Sequence, residues 1–157
     1  MKNILVATDF SQAAALALQQ GQCLAERCGD DATLHVLHVV RDLSAAPIEA
    51  PAVAYERLQA DLERKAHEEL NALLATRPTT LAVKAEVIRG SSPAHTILAY
   101  ARQASIDLIV LGTHGRSVIG DFILGSVAQK VIRSAVCPVM TVRNPPREQT
   151  HLDSVVV

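Results

Sequence analysis

Unbroken apolar runs alternate along the chain with stretches whose apolar residues recur every three or four positions. "NILVAT" (3–8) is apolar without polar alternation, as expected of a strand covered on both faces. Ser11 then reads as a helix cap. Ala14, Ala17, Leu18, Gly21, Ala25 and Cys28 follow at helical spacing and give the helix one small apolar face. Gly29, Asp30 and Asp31 stop it, and "ATLHVLHVV" (32–40) predicts a second strand. Residues 41–54 hold Pro47 and Pro51, show no period and predict a loop. The strongest helical pattern runs from 54 to 76. Tyr55, Leu58, Leu62, Ala66, Leu70, Leu73 and Leu74 lie on one face, and Asp61 and Lys65 are an i,i+4 pair on the other.

"LAVKAEVI" (81–88) alternates like a strand, apolar at 81, 83, 85 and 87. Ser92 caps the next helix, with Pro93 at its first position and Ile97, Leu98 and Ala101 along it to about Ala104. "DLIVLG" predicts a fourth strand, 126–135 a last helix carrying Val127, Val131 and Ile132, and "CPVMTV" (137–142) a fifth strand. Five strands separated by helices specify an α/β domain of three layers, with an open parallel sheet, right-handed crossovers and helices on both faces. Pro138 cannot donate to a ladder, which puts the fifth strand at the sheet edge, and an apolar edge invites pairing with a second copy. Residues 1–143 are expected to form one domain and residues 144–157 a tail that is flexible or used in outside contacts.

Composition narrows the function. The chain has 157 residues, 49% of them apolar but only 3% aromatic and none tryptophan, so the core is aliphatic. A net charge of −1 without clustered basic residues argues against nucleic acid, and few aromatics leave no stacking platform for single strands. No apolar stretch reaches the roughly 18 residues of a membrane span. "MKNILVATDF" reads as a first strand and not a signal peptide, because Asp9 ends the apolar run and no cleavage region follows. Cys23, Cys28 and Cys137 are scattered without CxxC spacing, consistent with free thiols in a reducing cytoplasm.

Chemistry is expected where glycine concentrates. Four of the fifteen residues in "GTHGRSVIGDFILGS" (112–126) are glycine, against seven in the whole chain. In open α/β sheets, ligands bind beyond the carboxyl ends of strands where strand order reverses. If strands 1 and 4 are neighbours, Asp9 faces this loop across one crevice. Glycine lets backbone N–H groups approach an anion, and the last helix adds unpaired N–H groups and a positive dipole end near Gly125 and Ser126. A triphosphate fits between Gly112–Gly115 and Gly125–Val127. "GDFILGS" has the glycine skeleton of a P-loop, but no lysine follows the second glycine. There is no GxGxxG.

The spacing Gly112-x2-Gly115-x9-Gly125-Ser126 resembles the nucleotide-binding signature of the universal stress protein family, G-x2-G-x9-G-(S/T), without a gap. "ILVATDFS", "LHVV" and "VIRSAVCPVMTV" are similar to that family's first strand and turn, second strand and close, so the resemblance covers residues 2–143. It implies a Rossmann-like, five-stranded sheet of order 3-2-1-4-5, ATP in the strand 1/strand 4 crevice with Mg2+ or Mn2+ held by the phosphates, and homodimers joined through the edge strand 137–142. It further implies that Ala7 and Asp9 are strand-1 contacts, with Asp9 at the ribose hydroxyls, and that the Val39 backbone meets adenine. Leu111, Gly112, His114, Gly115, Gly125, Ser126 and Val127 would form the phosphate and ribose wall. Ala7 stands where many members have proline.

Each residue also has a plainer reading. Asp9 could by type simply cap the first helix, but its place at the crevice favours a ligand role. His114 aims at phosphate or faces solvent, and Arg116 is a counter-charge or a solvated loop arginine. His35 and His38 have HxxH spacing, but positions three apart on a strand point to opposite faces, which argues against a metal site. His67 and His95 are expected at the surface. The 41–54 loop is a lid over the nucleotide or a connector. The leading reading is a cytoplasmic, ATP-binding regulatory homodimer that passes a signal to a protein partner. The alternatives are a slow ATPase or autophosphorylating enzyme, with His114, Arg116 and Asp9 as its only candidate groups, and a scaffold with a vacant site. "ATDFSQ" matches neither SGGxDS nor HxGH, which argues against adenylate transfer.

Overall fold

The computed structural model describes residues 1–44, 52–113 and 124–143. Its elements are β1 (Asn3–Thr8), α1 (Gln12–Arg27), β2 (Thr33–Arg41), α2 (Ala52–Ala75), β3 (Ala82–Gly90), α3 (Pro93–Gln103), β4 (Leu108–Gly112), α4 (Ser126–Ser134) and β5 (Val139–Val142). All pairings are parallel and the sheet order is β3-β2-β1-β4-β5. The order reverses at β1, between β2 and β4.

Strand alternation explains the unbroken apolar runs. Ile4, Val6, Leu34, Val36, Leu108 and Val110 pack into one layer with Ala17 and Leu18 of α1 and Leu70 of α2. Leu5, Leu37, Ile109 and Leu111 pack into the other with Ile97 and Ala101 of α3 and Ala128 and Val131 of α4. Both faces of the three central strands are thus buried and are apolar but for a few residues such as Thr8 and His35. The small face of α1 lets it lie close to the sheet: a Cβ on Gly21 would run into the Val6 side chain. Asp107 fastens the opposite end, its Oδ2 accepting the Lys2 and Asn3 amides at 2.6 and 2.9 Å. Among the described residues no helix is long and apolar enough to cross a membrane.

Several sequence expectations shift. Cys28 is an exposed C-cap residue and not part of the packed face of α1. On α2, Leu58 is 49% exposed while Gln59 is 3% exposed. The inward face there is polar because the Gln59 side chain accepts the Leu43 amide and donates to Glu63. Asp61 pairs with Arg64 at 3.1 Å, one position short of Lys65. β3 is an edge strand with both faces largely exposed over residues 82–86, and its alternation buries only Val87 and Ile88 in part. Ile132 of α4 is 44% exposed. β5 begins at Val139, although the Pro138 carbonyl already accepts the Ile109 amide.

His35 and His38 diverge as strand geometry requires. His35 is 3% exposed, with Nδ1 2.9 Å from the Tyr100 hydroxyl in the α3 layer and Nε2 buried without a partner. His38 stacks on Phe10 in the other layer. Their rings therefore cannot share an ion. His67 and His95 are exposed.

Tyr100→Phe leaves both His35 ring nitrogens buried without partners, so urea denaturation should show a loss of about 1–3 kcal/mol. Burial holds the His35 imidazole below its ordinary value, Lys84 pushes the same way and Glu86 opposes. The unfolded chain then takes up the proton first as pH falls, so this contribution is complete above the unfolded value of about 6.5 and is lost below it. His35→Leu should flatten the stability curve between about pH 6.5 and 5. A slope in that window identical to the wild type would contradict a buried neutral His35.

Candidate functional site

The reversal of strand order opens a cleft of about 330 Å³ at the carboxyl edge of the sheet. Its walls bring together Ala7 and Asp9 from the end of β1, Val39 from β2, Leu111 and Gly112 from β4, and Gly125, Ser126 and Val127 from the start of α4. His114, Gly115 and Arg116 lie outside the described residues, as do residues 45–51 of the expected lid and the tail 144–157.

The turn after β1 is built from short side chains bonding to their own backbone. Thr8 Oγ1 accepts the Phe10 amide at 3.1 Å, Asp9 Oδ1 accepts the Ser11 amide at 3.0 Å, and Ser11 Oγ accepts the Ala14 amide at 3.2 Å. Ser11 is therefore the N-cap of α1, while Asp9 holds the amide of that cap and still lines the cleft. Phe10 has φ of 63°. That left-handed conformation costs a non-glycine residue roughly 1–2 kcal/mol.

The glycines have more local reasons than anion approach. At Gly112 a Cβ would sit 2.8 Å from the Ala13 Cβ and 2.9 Å from its carbonyl carbon. Backbone cannot yield, so glycine is demanded here by the approach of α1 to β4. Gly125 has φ of −58°, open to any residue, and its amide donates to the Thr113 carbonyl at 2.7 Å. That amide is used inside the protein, which leaves Ser126 and Val127 as the donors at the helix start. Gly125, the N-cap, makes no side-chain capping bond. The first turn of α4 thus presents N–H groups and the positive end of its dipole to the cleft, opposite the carboxylate of Asp9.

Wall residues that the sequence did not assign to the site include Thr8, His38 and Pro93, while Thr113 lies within the expected Gly112–Gly115 stretch. His38 Nδ1 lies 2.8 Å from the Thr8 carbonyl. A carbonyl only accepts, so Nδ1 carries the proton. The HxxH spacing had drawn attention to His38 for metal binding, whereas its register opposite Thr8 was the informative signal. Leu37, Val39, Ile97 and Leu111, which belong to one packed cluster, give the cleft an apolar stretch of wall. Among the described residues no group of three His, Cys, Asp or Glu is placed to hold a metal ion.

Comparisons with known proteins agree with this geometry. The family model described as the universal stress protein family matches residues 1–143. Universal stress protein YxiE of Bacillus subtilis is 33% identical over 146 residues, covering 89% of this chain and 97% of that protein. The structure of universal stress protein UspA from Lactobacillus plantarum superposes with a TM-score of 0.72 at 32% identity, covering 90% of this chain and 97% of the other. An Arabidopsis thaliana family member with AMP bound shares the fold, with a TM-score of 0.62 at 18% identity over 93% of this chain and 94% of its own. By the match across its strands, cleft and closing segment, the chain belongs to the universal stress protein family.

Proposed function

We propose that this protein binds ATP in the β1/β4 cleft and acts as a nucleotide-dependent regulatory homodimer of the cytoplasm, passing its state to a protein partner. The observation that carries the reading is the pairing of an uncapped α4 N-terminus with Asp9 across one cleft. The helix start favours phosphate, and a carboxylate accepts hydrogen bonds from vicinal hydroxyls such as those of ribose. The apolar slot between them suits a planar base. AMP in the Arabidopsis relative supports an adenine nucleotide. The polar groups of the wall include backbone amides, the hydroxyls of Thr8, Thr113 and Ser126, and one carboxylate, Asp9, which only accepts. That set fits a divalent ion carried by the phosphates, which would neutralise their charge, and not one bound by the protein alone.

The dimer reading rests on a contrast between the two sheet edges. β3 carries Lys84, Glu86 and Arg89, charges of the kind that block edge pairing. β5 carries none, and Val136 and Ile132 beside it are 74% and 44% exposed. The Pro138 and Val142 carbonyls face β4, so alternation turns the backbone groups of Val139 and Thr141 outward.

Protein purified without added nucleotide, denatured and analysed by mass spectrometry should release ATP. ADP released instead, with steady turnover, would favour the ATPase alternative. By calorimetry, Asp9→Ala should weaken Mg-ATP binding about 10- to 100-fold, the worth of a hydrogen bond to a charged group. Wild-type protein that binds no ATP would end this reading. Thr141→Pro removes an outward donor and should turn a dimer into a folded monomer in sedimentation experiments; a Thr141→Pro protein that stays dimeric would place the interface elsewhere.

A further inference from the structure

Phenylalanine is a poor choice for the left-handed region. Asn or Asp in that conformation can bond to its own backbone, whereas a phenyl ring gains nothing locally. The conformation of Phe10 must therefore be imposed by what surrounds it. Its φ is 63°, its amide is held by Thr8 Oγ1 at 3.1 Å, and its ring lies on His38 with centroids 4.4 Å apart and planes 33° apart. His38 is itself fixed to the Thr8 carbonyl at 2.8 Å, and the phenyl ring also packs against the buried cluster that includes Ile4, Val6 and Leu34. Thr8, His38 and Phe10 thus form a closed clasp joining the ends of β1 and β2. Asp9 sits inside this clasp, between Thr8 and Phe10.

We propose that Phe10 is a positioning residue of the nucleotide site, acting through Asp9. The clasped ring holds the turn in its left-handed form, and that form keeps Asp9 Oδ1 on the Ser11 amide with the carboxylate at the cleft wall. Without the ring, the chain relaxes towards ordinary backbone angles, the Asp9 peptide rotates, and the carboxylate loses its place. The role rests on the ATP-binding reading, but the geometry of the turn can be measured without nucleotide.

The test is a double-mutant cycle on the full chain, read as Mg-ATP affinity. Phe10→Ala should weaken binding about tenfold in the wild-type background and by less than about twofold in Asp9→Ala protein, because the group it positions is then missing. Phe10→Tyr, which keeps the ring, should bind like the wild type. Equal losses in both backgrounds, or full affinity in folded Phe10→Ala protein, would overturn the proposal. If Phe10→Ala does not fold, Phe10→Leu takes its place in the cycle under the same criteria. Exchange of the Ser11 amide proton is a second readout needing no ligand, expected to quicken about tenfold in Phe10→Ala. Unchanged exchange overturns the proposal. Faster exchange in a protein whose wild type binds no ATP supports the turn's role and removes the nucleotide reading alone.

Discussion

The packing of α1 against β1 and β4 governs the rest of the molecule. It is close because two glycines make it so: Gly21 faces Val6, and Gly112 leaves room for the backbone of Ala13. The second contact matters more. It fixes the first turn of α1 against the last residue of β4, at the point where the sheet reverses. The turn carrying Asp9 must then fit between two immovable neighbours, and it does so by taking the left-handed step at Phe10. The cleft is what remains open once that approach is satisfied. A methyl group at residue 112 would act on the fold and on the site at once, through backbone that cannot move aside.

The fold was largely legible in the sequence because the three central strands are buried on both faces, and nothing else tolerates apolar runs such as Ile4–Ala7 and Leu108–Leu111. Legibility failed where burial is partial. β3 alternates in sequence, but at the sheet edge its apolar side chains stay largely exposed. The α2 face is as expected at Ala66, Leu70, Leu73 and Leu74 but not at Leu58, because Gln59, a polar side chain, is buried there by hydrogen bonds and not by hydrophobicity. The site divides in the same way. Asp9, Val39, Gly112, Ser126 and Val127 reach one cleft from strand ends and a helix start, positions that element order and the family resemblance together predict. Thr8, His38 and Phe10 were invisible because their part depends on register between β1 and β2 and on one unusual torsion, neither of which leaves a compositional trace.

Under the proposed ATP reading, the described wall supplies groups that would hold the nucleotide. Backbone amides at a helix start and neutral hydroxyls stabilise phosphate in whatever state it is bound. Acceleration requires groups that interact more strongly with the transition state than with the ground state. Among the described residues lining the cleft there is no lysine or arginine, and Asp9 is bonded to the Ser11 amide at 3.0 Å.

The cleft wall and the sheet edge are also joined directly. The Thr113 carbonyl accepts the Gly125 amide at 2.7 Å, and the Thr113 N–H donates to the Val142 carbonyl at 2.8 Å. One residue, through the two peptide groups that flank it, therefore ties the start of α4, which faces the cleft, to the last residue of β5, which forms the sheet edge. The covalent path runs the same way, since α4 leads through residues 135–138 into β5. Both connections are short, and Thr113 is itself buried, so the bonds are not in competition with solvent. The first turn of α4 and the end of β5 are thus held as one unit with the end of β4. In a dimer joined through β5, a ligand that draws in the start of α4 pulls on the same unit that carries the interface. If ATP and a β5-joined dimer form as proposed, this continuity is the path by which the site would reach the interface.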